Sequence, residues 1–192
     1  MPGFGASQAL GGAWGIDEYV GWLMDFIREE GLSSPSVVAH SFGARVAFVA
    51  FSRYPDEFSK LIVVGGAGLV KQRSRAYMRR IKAYRAVKKL FPNFAERHFG
   101  SREYRTLSPL MKESYKKIVN RDLRKEAAKI ASPVLLIYGR EDAVTPYAEE
   151  GVIFNSTISG SRLVDMPGGH FCFSEHPEKF NPLMLAFLRE KG

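Results

Sequence analysis

The chain has 192 residues, 45% of them hydrophobic and 25% charged, which suits one globular domain with a substantial core. Its net charge of +8 is unevenly spread: residues 71–130 carry 19 Lys/Arg against 5 Asp/Glu, and the remainder carries 9 against 15. No apolar run approaches the roughly 20 residues of a membrane span, MPGFGASQAL lacks the pattern of a secretory leader, and Cys172 has no intrachain partner, so a cytoplasmic protein without disulfides is expected.

After a glycine-rich opening, IDEYVGWLMDFIREEG (16–31) sets Tyr19, Leu23, Phe26 and Ile27 at helical spacing, with Asp17 and Glu18 near its start and Gly31 at its end. SVVAH (36–40) reads as a short buried strand, and Phe42 to about Arg53 as a helix stopped by Tyr54-Pro55. LIVVGG (61–66), PVLLIYG (133–139) and SRLVDMP (161–167) are three more strands. The strands are continuously apolar and several are separated by helical patterns, which predicts a mostly parallel sheet flanked by helices. Between the second and third strands lie about 60 residues, far more than a crossover needs. Here 74–91 and 109–119 form amphipathic helical patterns, and 120–130 a short helix opened by Asn120. A core of 1–69 and 131–192 with a helical insertion at 70–130 is expected. The last helix is predicted to begin at Asn181-Pro182.

The chemistry centres on VVAHSFGARVAF, where one serine stands between strand and helix. A sharp turn there would lift the Ser41 hydroxyl above the sheet and aim backbone N–H groups at the same point. Such a turn needs small residues two positions either side, and Ala39 and Gly43 supply them. A plain helix N-cap also explains a serine at this position. Asp142 follows the third strand and His170 the fourth, where catalytic groups of open parallel sheets gather. The order Ser…Asp…His, each just past a strand, predicts Ser41 as nucleophile, His170 as base and Asp142 as its orienting acid, with the Phe42 N–H as an oxyanion donor. Taken singly, Asp142 could be a turn residue and His170 a satisfied surface group. Glu141 is the weaker acid candidate, and His40 is expected to pack under the turn. His98 and His176 carry no strong claim, His176 reading as a helix-start residue. No Cys/His cluster has zinc-site spacing, so neither metal nor organic cofactor is expected.

With PGFGAS (2–7), VVAHSFGARVA (37–47), LIVVGGAG (61–68), PVLLIYGREDAVTP (133–146) and GGHFCFSEHPEKF (168–180), the chain resembles the α/β-hydrolase superfamily over nearly its whole length. The resemblance implies a serine hydrolase cleaving a small-molecule ester or related acyl bond, with the insertion as a lid. It also makes Phe4, Ala67, Val144 and Phe171 candidates for the substrate-pocket wall. Family members carry strands ahead of PGFG, and a loop among them supplies a second oxyanion donor. The chain starts at that motif, so a shortened hydrolase is expected, with the SVVAH strand at an exposed sheet edge. The rival expectation is a non-catalytic scaffold that self-associates through this edge. The basic insertion reads as the solvated face of lid helices, as a surface for anionic substrates or membranes, or as a nucleic-acid surface. No nucleic-acid-binding motif accompanies it, and no nucleic-acid partner is expected.

Overall fold

The structure is a computed structural model that describes residues 1–70 and 107–190. The predicted helix at 74–91 and His98 lie outside the described residues. Two compact units are distinguished, one of residues 1–14 and 70–120, the other of residues 15–69 and 121–192. These boundaries differ from those read in the sequence: residues 1–14 cluster with the insertion, and 121–130 with the sheet.

The larger unit holds a four-stranded sheet: β1 (Val37–His40), β2 (Leu61–Val64), β3 (Val134–Gly139) and β4 (Arg162–Met166). They are adjacent in the order β1-β2-β3-β4, and every pair is parallel, with Val37 opposite Leu61, Leu61 opposite Val134 and Leu135 opposite Arg162. Every residue of the two inner strands is buried, whereas Val38 in β1 is 49% exposed and β4 is mixed. This is what a sheet covered on both faces demands: strands with two neighbours bury both faces, and outer strands need not.

One face of the sheet packs Ile62, Val64, Leu135, Ile137 and Met166 against Phe180 and Phe187 of the last helix. On the other, Val63 and Tyr138 meet Ala44 around Gly66. The helix bearing Ala44, α2 (Phe42–Arg53), carries Phe48, whose ring lies 4.6 Å from that of Phe154 in α5 (Val152–Thr157). Helix α1 (Ile16–Glu29) packs on α2, with Tyr19 edge-on to Phe42 at 5.1 Å. Its buried stripe is Ile16, Tyr19, Val20, Met24 and Ile27. Tyr19 and Ile27 belong to it as expected, but Val20 and Met24 take the places expected for Leu23 and Phe26, leaving Phe26 41% exposed. Glu18 accepts the Gly15 N–H at 2.7 Å, closing the start of α1, and Gly31 adopts φ +61 just past its end.

In the smaller unit, α3 (Pro109–Val119) has Ser108 as N-cap, its hydroxyl accepting the Met111 N–H, and Pro109 at the first position. Ser114 is buried and accepts the Trp14 N–H at 2.9 Å. Asn120 ends α3, donating to the Lys116 carbonyl, and so does not open the next helix as the sequence suggested. That helix, α4 (Arg124–Ala127), starts four residues later. Leu123 must first enter the core of the larger unit, where it is fully buried with its N–H on the Gly68 carbonyl.

Two helices follow β4: α6 (Cys172–Glu175) and α7 (Pro177–Arg189). The sequence places the start of α7 at Pro182, but the helix begins at Pro177, with His176 as its flanking residue and Pro182 inside. Phe180, buried in the core, anchors the extra turn, and the N–H that Pro182 lacks would have gone to the exposed Glu178. At the far end of α7, the buried Lys60 ammonium donates to the carbonyls of Phe187 (2.9 Å), Leu188 (3.1 Å) and Glu190. Among the described residues, no helix is long and apolar enough to cross a membrane.

Candidate active site

Ser41 follows the last residue of β1 and has φ 49°, ψ −109°, a left-handed backbone that a non-glycine residue rarely adopts. Three backbone hydrogen bonds hold it there. Its N–H donates to the Val64 carbonyl at 3.0 Å, and its own carbonyl accepts from Ala44 and Ala67, each at 3.2 Å. Both flanking residues are small, and a Cβ added to Gly43 would lie in ordinary contact with that of Ala39, at 3.8 Å. No side-chain capping bond is made by Ser41, so its position is not that of an ordinary N-cap.

The hydroxyl instead points to His170, with Nε2 2.9 Å from Ser41 Oγ. The other ring nitrogen, Nδ1, lies 2.8 Å from Asp142 Oδ2. A carboxylate only accepts, so Nδ1 carries the hydrogen and Nε2 is left to accept from the serine. Asp142 is buried and its carboxylate takes four contacts: Val144 N–H and Thr145 N–H on Oδ1, His170 Nδ1–H and the Thr145 hydroxyl on Oδ2. Burial alone would raise its pKa, but the hydrogen bonds from His170, Thr145 and Val144 outweigh that and hold it below its ordinary value. The arrangement can therefore keep a carboxylate ionised beneath a neutral imidazole whose free lone pair faces a hydroxyl.

Several contributors escaped the sequence reading. Thr145, 2% exposed, also lies 2.9 Å from the Gly65 carbonyl, so its one hydroxyl proton faces two acceptors. Gly65 has φ +50, and a Cβ there would come within 3.2 Å of both Asp142 Oδ2 and His170 Nδ1. Glu141, considered as an acid, does a different job: its Oε2 accepts the Gly168 N–H at 2.6 Å. Glu175 accepts the Gly169 N–H at 2.7 Å. Gly139 has to be glycine because a Cβ would run into the Gly169 carbonyl at 2.2 Å. The GG dipeptides were visible signals of close approach, whereas nothing local marked Glu175 as a loop anchor. His40 corrects another expectation: its Nε2 lies 2.8 Å from the His170 carbonyl, so it makes a polar contact besides packing.

Of the wall candidates, Ala67 supplies the N–H on Ser41, Val144 is 56% exposed beside Asp142, and Phe171 is 55% exposed with its ring 5.5 Å from that of His170. Phe4 is half-exposed in a turn of the smaller unit, where its N–H donates to the Met1 carbonyl. Phe42 is the first residue of α2. His176 Nδ1 lies 3.3 Å from Glu178 Oε1 at the start of α7. Among the described residues, no group of three or more His, Cys, Asp or Glu is arranged to hold a metal ion.

A nucleophile-type turn, an imidazole and a carboxylate, each following a different parallel strand, make a family pattern, and residues 1–117 match the family model of the alpha/beta hydrolase fold. The chain belongs to the α/β-hydrolase family. It is 24% identical over 217 residues to the pimeloyl-[acyl-carrier protein] methyl ester esterase of Yersinia enterocolitica, covering 100% of this chain and 82% of that one. In structure it resembles the esterase of Exiguobacterium antarcticum (TM-score 0.75, 20% identity, 98% of this chain and 79% of that one). It also resembles the bromoperoxidase of Bacillus anthracis (TM-score 0.77, 19% identity, 98% and 79%). This α/β hydrolase thus shares its fold with enzymes of differing names, and fold alone does not choose among them.

Proposed function

We propose that this α/β hydrolase is a serine hydrolase that cleaves a small ester or related acyl bond through an acyl-enzyme at Ser41. The observation that carries the reading is the unbroken hydrogen-bond chain from Asp142 through His170 to Ser41, with contacts of 2.8 and 2.9 Å. Ser41 Oγ attacks the acyl carbon while its proton passes to His170 Nε2. Asp142 keeps the Nδ1–H tautomer and stabilises the imidazolium. The Phe42 N–H donates to the oxyanion as it forms. Collapse expels the alcohol, which takes the proton from Nε2 and leaves an ester on Ser41. Water, deprotonated by His170, then attacks that ester, and the carboxylic acid departs from a regenerated serine. Val144 and Phe171, exposed next to the acid and the base, would contact the acyl group. Ala67 remains a wall candidate, and residues 70–120 take the part of the family's lid. The esterase names of the Yersinia and Exiguobacterium proteins support an ester as the substrate class.

A fluorophosphonate probe tests this directly. Wild type is expected to label to one equivalent, and Ser41→Ala not at all. A folded wild type that stays unlabelled would refute the proposal and favour the second reading, a non-catalytic scaffold. That reading has one observation in its favour, the position of β1: among the described residues it pairs only with β2, with Val38 half-exposed beside an open ladder.

A further inference from the structure

The loop that carries His170 opens with two glycines, Gly168 at φ +99, whose carbonyls accept the backbone N–H groups of Glu141 and Cys172, each at 3.1 Å. Three consecutive backbone groups of this loop are tied down by side chains from elsewhere. Glu141, after β3, takes the Gly168 N–H, and Glu175, in α6, takes the Gly169 N–H. The third tie is different in origin. The carbonyl of His170 itself receives the Nε2–H of His40, at 2.8 Å, and His40 is the residue joined to Ser41. A carbonyl only accepts, so His40 carries its hydrogen on Nε2. Its backbone is set in the sheet opposite Val64, and its ring is enclosed by the rings of His170 (4.7 Å), Phe171 (5.1 Å) and Phe173 (5.0 Å).

We propose that His40 is a positioning residue that sets the approach of the general base to the nucleophile by clamping the His170 carbonyl to the end of β1, next to Ser41. The inference rests on the reading of Ser41 and His170 as nucleophile and base. Among the described residues, the other hydrogen bond joining this strand end to the His170 loop is the Ser41–His170 contact itself. That contact changes hands in every turnover as the serine proton moves. The His40 contact uses a backbone carbonyl and a ring proton that no step consumes, so it can hold the two sides in register throughout. A neutral ring suits this role, because a cation 4.7 Å from the His170 ring would oppose the imidazolium formed there. Burial among these rings holds His40 below the ordinary histidine value, against the raising effect of its hydrogen bond to the His170 carbonyl.

The test compares the rate of fluorophosphonate labelling in wild type, His40→Leu and His40→Gln. Loss of the clamp should slow His40→Leu about a hundredfold, the scale of an ångström-sized misplacement. His40→Gln, whose amide N–H has similar reach, should recover most of the rate. With a chromogenic short-chain ester the loss should fall on kcat and leave KM unchanged. Equal rates in wild type and His40→Leu, or a His40→Gln as slow as His40→Leu, would overturn the role of His40 while leaving the hydrolase reading intact. A wild type that does not label overturns the hydrolase reading itself. Independently of any reaction, nitrogen NMR of the ring in Ser41→Ala should find His40 protonated at Nε2; a proton on Nδ1 instead would remove the clamp.

Discussion

The Asp142 carboxylate accepts from the Val144 and Thr145 N–H groups and from His170 Nδ1–H, and the Thr145 hydroxyl, which also faces the Gly65 carbonyl, lies 2.8 Å from its Oδ2. Its pKa is depressed in the folded chain, so its contribution to stability is complete above the ordinary carboxyl value of 3.8 and is lost as pH falls through the lower folded value. Asp142→Asn removes that dependence. The variant should therefore show a flatter acid-unfolding curve than wild type, measured by circular dichroism, and its esterase rate should fall about ten-thousandfold because the tautomer is no longer enforced. At this scale the three side chains that the structure brings together were easier to read in the sequence than the groups that hold them. Ser41, Asp142 and His170 could be picked out because each follows a strand. Thr145 and Glu175 could not, since a threonine in a loop and a glutamate in a short helix have many uses. Their partners become visible only when loops distant in the chain are brought together.

Helix α7 shows what an element gains from one buried charge. The last carbonyls of a helix have no intrahelical donors, and Lys60 supplies its ammonium to those of Phe187, Leu188 and Glu190 while lying 5.5 Å from the Phe187 ring centre. Lys60→Met should lower stability by about 1–3 kcal/mol, read by denaturant unfolding. The labelling rate of Ser41 should not change, because Lys60 precedes β2 whereas Ser41, Asp142 and His170 follow their strands, at the opposite end of the parallel sheet. Helix boundaries were the least legible feature of the chain. Asn120 and Pro182 both look like openings, yet Asn120 closes α3 and Pro182 sits within α7. In each case a buried side chain, Leu123 or Phe180, fixes the path more strongly than the local cap does.

On the scale of the whole molecule, the parallel sheet was readable because LIVV and VLLIYG are apolar without alternation, a pattern that only burial on both faces requires. The order of the strands was not, since every continuously apolar strand fits an inner position equally well. The open ladder of β1 carries its own expectation. Gel filtration over a range of concentrations should show association if this ladder pairs between copies, and a charged substitution, Val38→Lys, should suppress it. A monomer at every concentration would remove the scaffold reading.

The proposed nucleophile and its proposed base hang from opposite margins of the sheet, β1 and β4, with two strands between them. On the proposed mechanism, peeling away the outermost β4 ribbon would carry His170 off and abolish turnover, while the three remaining strands and α2 kept their packing. Turnover should thus fade before ellipticity does when the protein is warmed, making catalysis the more sensitive gauge of fraying at that margin.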